Sequence, residues 1–218
     1  MSVLKRYLVL TIVVMIAAMG PSLTIKAAVG LGAFDALNQS IAFLTGFRIG
    51  DIITVNQLIF VAVQFFILKK NAGLRIVLQI PLAAIFGQLI NFYLYTVLEA
   101  IEFNSYFIRI VMFVVGIVWV SFFISVIMAL DIVTMPLENL SMVIANAINK
   151  PFGIIRQTFD IIFVILALAL TFIFSLPFTI REGTIIGAIL FGPLMAFFIP
   201  KIEQQLIKWD LVSASPED

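Results

Sequence analysis

Residues 108–130 read IRIVMFVVGIVWVSFFISVIMAL. The one charge in this run is Arg109 at its start, and no proline or carboxylate follows before Asp131. A hydrocarbon core about 30 Å thick needs about 20 helical residues, so the run is read as a membrane-crossing helix. Lipid offers backbone groups no hydrogen-bond partner, and a helix satisfies its own. The rest of the chain agrees: 63% of its residues are hydrophobic and only 11% are charged. A water-soluble chain of this composition could not cover its own core.

Five further runs flank this one. They extend from Tyr7 to about Thr24, Asp51 to Leu68, Ile76 to Leu98, Ile154 to Leu176 and Thr184 to Ile199. The last is short and stops at Pro200-Lys201. A basic start and small residues near Ala17-Ala18 also give the first run the look of a signal peptide. Two stretches remain, about 27–49 and 132–150, each largely apolar yet carrying a carboxylate, Asp35 or Glu138. If neither spans and the N-terminus is cytoplasmic, Lys5, Arg6, Lys69, Lys70, Arg75, Lys150, Arg156, Lys201 and Lys208 lie inside. Lys26, Arg48, Arg109 and Arg181 lie outside, a split of about nine to four. Letting both stretches span weakens that bias. The expected architecture is one six-helix domain over residues 1–200, with both termini cytoplasmic and a tail over 201–218. The two extra stretches become re-entrant or interfacial half-helices.

Sliding the chain against itself by about 103 residues places Asp35 on Glu138, Gly50 on Gly153, and Ile59-Phe60-Val61 on Ile162-Phe163-Val164. A shift of about 105 then places Phe86-Gly87 on Phe191-Gly192. The repeats cover about 7–98 and 108–200. Three spans per repeat is an odd number, so the second copy is expected to enter from the opposite side. The fold class is therefore all-α, with two inverted three-helix repeats, an arrangement transporters use to build a site near the bilayer midplane.

Gly32-Ala33-Phe34-Asp35-Ala36-Leu37, Gly50, Gly183-Thr184 and Phe191-Gly192-Pro193-Leu194 carry a resemblance. Over most of residues 28–200 the chain resembles the YczE/YyaS/YitT-type bacterial membrane proteins. In that family the first segment reads Gly-Pro-Trp-Asp-x-Leu. The second reads Pro-Arg-Asp-Gly-Leu, then an Arg with a carboxylate four residues later. Here these are Ala33-Phe34-Asp35, then Pro136-Leu137-Glu138-Asn139-Leu140, Arg156 and Asp160. The family's Arg is Leu137, so an anion role at that point is not carried over. The resemblance implies a six-helix protein of the bacterial cell (inner) membrane.

The chain has no Cys and no His. Thiolate and Ser-His catalysis, disulfides and His- or Cys-ligated zinc are excluded. An enzyme is not expected, nor a cofactor or metal. A net charge of +1 without a basic cluster argues against nucleic acid.

The informative side chains are ionisable groups in apolar runs, because each costs roughly 2.5–3.5 kcal/mol or more in lipid. Arg156 and Asp160 share one helix face, as a solute-contacting pair or as a self-neutralising ion pair. Asp35 and Glu138 are candidates for cation, proton or amine binding, or else helix caps; Asn38, Gln39 and Asn139 lie beside them. Gln88, Asn91 and Tyr95 form one stripe, and Gln57 and Gln64 another, as cavity walls or as interhelical hydrogen bonds. The expected solute site comprises Asp35, Asn38, Gln57, Gln88, Asn91, Glu138, Asn139, Arg156 and Asp160. Glycines and alanine at 183, 187, 188 and 192 permit close helix contact.

Three readings follow. The first is a protein that binds and transports a small solute. The second is the substrate-binding S component of a vitamin-uptake system, docking a membrane coupling subunit with ATPases through small residues such as Ala17, Ala18 and Gly20. The third is a scaffold or regulator. All three have the lipid bilayer as partner.

Overall fold

A computed structural model describes residues 3–209 and 211–212. The chain is helical. α1 (Val3–Ala17) and α2 (Met19–Ala27) form the first span, broken at Ala18. α3 (Ala33–Thr45) is a half-length helix and α4 (Ile49–Leu68) the second span. α5 (Leu74–Val77), α6 (Gln79–Phe92) and a π-turn over Tyr93–Val97 form the third. α7 (Tyr106–Ala129), the half-length α8 (Pro136–Ala147), α9 (Phe152–Phe174) and α10 (Glu182–Lys208) complete the chain. Among the described residues, six helices are long and apolar enough to cross a membrane. Ile12, Phe66, Phe107, Ile165, Phe172 and Ile189 are among many large apolar side chains left on the outside. That surface suits lipid and not water.

The sixth helix departs from the expected stop at Ile199. α10 runs through Pro193 and Pro200 to Lys208, and Leu206 is buried in the main core. A proline removes one backbone bond, a loss that long membrane helices tolerate where neighbours compensate. Residues 201–208 therefore continue a helix and are not a free tail; 213–218 lie outside the described residues.

At 1.5 Å per residue, α3 and α8 are about 20 Å long and cannot span. The non-helical backbone entering each is satisfied by protein, as depth in a membrane requires. Before α3, Val29 O accepts from Gly183 N at 2.8 Å, and Leu31 N donates to Thr184 Oγ1 at 3.2 Å. Gly30 sits there at φ +121°, with Thr184 N where a Cβ would go, so only glycine fits. Before and within α8, Arg6 Nη2 donates to Leu130 O at 2.9 Å. Leu137 N donates to Gln57 Oε1 at 3.2 Å, and Gln64 Nε2 donates to Pro136 O at 3.0 Å.

The order of elements recurs at the sequence offset. α3 and α8 begin about 103 residues apart, as do α4 and α9. Both half-helices pack between the same two spans: α3 lies mainly on α9 and also on α4, and α8 lies on α4 and α9 alike.

Candidate functional site

One cavity lies where these elements meet. Its enclosed volume is about 100 Å³, smaller than the roughly 300–1,000 Å³ of most small-molecule sites. Its wall takes Gly32, Phe34 and Asp35 from the start of α3, and Met135, Leu137 and Glu138 from the start of α8. α4 adds Ile53 and Gln57, and α9 adds Arg156 and Asp160. Phe86 and Ile90 come from α6, Gly187, Ala188 and Phe191 from α10, and Pro21, Thr24, Ile117, Val120 and Ile124 from α2 and α7.

Much of this wall is paired by the repeat offset. Gly32 pairs with Met135, Phe34 with Leu137, Asp35 with Glu138, Ile53 with Arg156, Gln57 with Asp160, and Phe86 with Phe191. The cavity thus brings together positions that the sequence offset aligns, but the chemistry differs. The first half of the chain presents Ile53 and Gln57 where the second presents the Arg156–Asp160 ion pair.

Asp35 and Glu138 occupy the same third position of their half-helices, after Gly32 and Met135. A carboxylate there is favoured by the positive end of the helix. Arg156 hydrogen-bonds Asp160 one turn later, and its Nε lies 3.7 Å from Glu138 Oε1. The Arg156 side chain is 11% exposed and its Nε has no hydrogen-bond partner. Its guanidinium sits 5.4 Å from the Phe191 ring centroid, bridging α9 and α10. Among the described residues Asp35 takes part in no ion pair. Burial pushes the Asp35 carboxyl above the ordinary carboxylate range, with Arg156 opposing the shift; burial likewise raises Glu138.

Of the nine expected site residues, Asp35, Gln57, Glu138, Arg156 and Asp160 converge on the cavity. Four do not. Asn38 donates to Phe34 O at 2.7 Å and accepts from Asn56 at 2.6 Å. Asn139 donates to Gln64 Oε1, and Gln64 in turn donates to Gln79 at 3.0 Å, tying α8 to α4 and α6. Gln88 and Asn91 both donate to Asp51 Oδ1, at 2.8 and 2.9 Å. That stripe shares one face as expected, and the face holds the start of α4. Asp51, a carboxylate at the head of a span, was the signal for it. Phe86 and Phe191 were missed as wall residues, although the offset that aligns Phe86-Gly87 with Phe191-Gly192 singles them out.

The stripe of small residues is used inside the molecule. Gly183 meets Val29 O and Phe113, and Gly187 lies against Phe113 and Ile117. A Cβ added at Gly192 would meet nothing within 4 Å among the described residues. On the first span, Ala17 and Ala18 are in the core and Gly20 lies against Val120.

Comparison with known proteins places this arrangement in a lineage. The chain belongs to the family described as a family of unknown function, DUF6198, whose profile matches residues 4–200. It is similar to the uncharacterized protein YyaS of Bacillus subtilis (strain 168), with 25% identity over 202 residues, covering 93% of this chain and 96% of that protein. No solved structure matches it.

Proposed function

We propose that this protein binds a small solute in the central cavity and carries it across the bacterial inner membrane. In this reading the two copies are related by an axis in the membrane plane, both termini are cytoplasmic, and no covalent chemistry takes place. The kinship to YczE and YitT types belongs to the same proposal. The observation that carries it is the wall itself: one cavity that brings together positions about 103 residues apart in sequence and four ionisable groups within an apolar bundle. Sites at the junction of repeats, lined by the ends of broken helices, are the transporter arrangement.

A separate coupling subunit gains no support from the first helix. Its small residues are already packed against the bundle.

The absence of native cysteine makes the test clean. Ala188→Cys places a thiol on the cavity wall. An impermeant maleimide should label it from both sides, in right-side-out and in everted vesicles, as the cavity opens alternately. Lys70→Cys and Asn104→Cys serve as controls and should label only from the cytoplasmic and only from the outer side, respectively. Labelling at 188 from one side alone would leave a binding protein or scaffold. Exchanged labelling of the two controls would reverse the orientation.

A further inference from the structure

Resting on the solute-binding reading, we propose that the solute is an organic monocation: an ammonium-type head that docks at Asp35, on an apolar body held by Phe34, Phe86 and Phe191. The charges on the cavity wall do not balance. The ionisable groups lining the cavity are Asp35, Glu138, Asp160 and Arg156. Arg156 is committed to Asp160 and Glu138. The α2, α4, α6, α7 and α10 walls bring no charge, only Thr24 and Gln57 as polar groups. One cation therefore faces three acids. The two helix N-termini together return roughly one positive charge, about half each. About one negative charge is left over, and it falls on the acid without an ion pair.

An anion is the poorer fit. The first turns of α3 and α8 are where it would bind, and the protein's own Asp35 and Glu138 occupy them. A bare metal ion is also a poorer fit, because among the described residues no three carboxylates come close enough to share one. Glu138, 6% exposed, has only Arg156 as a cross-element partner among the described residues. The aromatic wall suits both the body of such a solute and, through ring faces, its charge.

A buried acid with no counter-ion takes up a proton or a cation. Cation binding at Asp35 then releases that proton to water, with no other bond changed. The raised carboxyl of Asp35 agrees. Arg156 and Asp160 of α9 and Glu138 of α8 face it and set the baseline, while the other walls contribute nothing that titrates.

The test uses the full chain in nanodiscs of zwitterionic lipid with three probes of one shape: benzyltrimethylammonium, its uncharged isostere neopentylbenzene, and benzenesulfonate. Calorimetry and thermal shift at pH 6 and pH 8 should show that only the ammonium binds, about tenfold tighter at pH 8, because one proton competes. Asp35→Asn should weaken it about tenfold and flatten the pH dependence, whereas Asp35→Glu should stay within about threefold. Equal binding of the uncharged isostere, or preferred binding of the sulfonate, overturns the cation class and leaves the solute reading standing. Binding of none of the three overturns this inference alone if the residue-188 thiol labels from both sides, and both readings if it does not.

Discussion

In the first half of the chain, α4 and α6 are pressed together at Gly50 and Gly87. A Cβ on Gly50 would collide with Gly87 O, and one on Gly87 with Thr54 Oγ1 and Gly50 O. In the second half the sequence offset selects Gly153 and Gly192, where an added Cβ would meet nothing within 4 Å among the described residues. There α9 and α10 barely touch, and α10 packs on α7 instead. One seam is closed through backbone contact, and its counterpart stands open beside the cavity with Arg156 reaching Phe191 across the gap. Glycine is needed where backbones touch, yet it is present at both places.

The largest effect should come from erasing the chemical difference between the copies. Arg156→Ile puts the first copy's residue in the second. It leaves Asp160 and Glu138 buried without their cation, and the expected loss is about 3–5 kcal/mol of stability. Adding Asp160→Gln completes the exchange and should recover much of it, since an apolar and neutral pair replaces a broken ionic one. Denaturation of the two variants side by side in detergent decides the matter. A double variant no better than the single would mean that Glu138 alone carries the cost.

The seams themselves give the next effect, and the two should differ in sign. Gly87→Ala forces backbone apart and should cost about 1–3 kcal/mol. Gly192→Ala meets open space and should be neutral, or gain up to about 1 kcal/mol of helix propensity. Thermal unfolding of both compares them directly. Equal losses would mean that α9 and α10 are as closely packed as α4 and α6, and the comparison would fail.

Both seams were half legible in the sequence. The offset aligned Gly50 with Gly153 and Gly87 with Gly192, but an alignment of positions does not fix what each one touches. Periodicity behaves the same way: it placed Gln88 and Asn91 on one face without fixing where the face points, and Asp51 claimed it. Spans were legible because length and hydrophobicity set them. The exception is the end of α10, where prolines read as a stop and tertiary packing of Leu206 carries the helix on. Four of the five converging site residues, Asp35, Glu138, Arg156 and Asp160, were legible because ionisable groups are too costly to face lipid; Gln57 was legible only as part of an amide stripe. The amides Asn38 and Asn139 had a cheaper use, and took it in helix-to-helix bonds.

The smallest effect separates the two half-helix acids. Asp35 lacks an ion pair among the described residues, whereas Glu138 has Arg156 at 3.7 Å. Burial raises the Asp35 carboxyl in the folded chain above its unfolded value. The folded state therefore holds the proton more tightly. Its contribution to stability is present at acid pH, below the unfolded value, and is lost as pH rises through the folded one. Asparagine removes the titration. Asp35→Asn should then unfold at a higher temperature than the parent at pH 8, by about 2–4 °C, with the gap narrowing as pH falls. Glu138→Gln should gain less, because Arg156 already offsets the charge and would lose a partner. If Asp35→Asn shows no pH-dependent gain while Glu138→Gln does, the free charge sits on the second copy. The cation site would then move from the start of α3 to the start of α8.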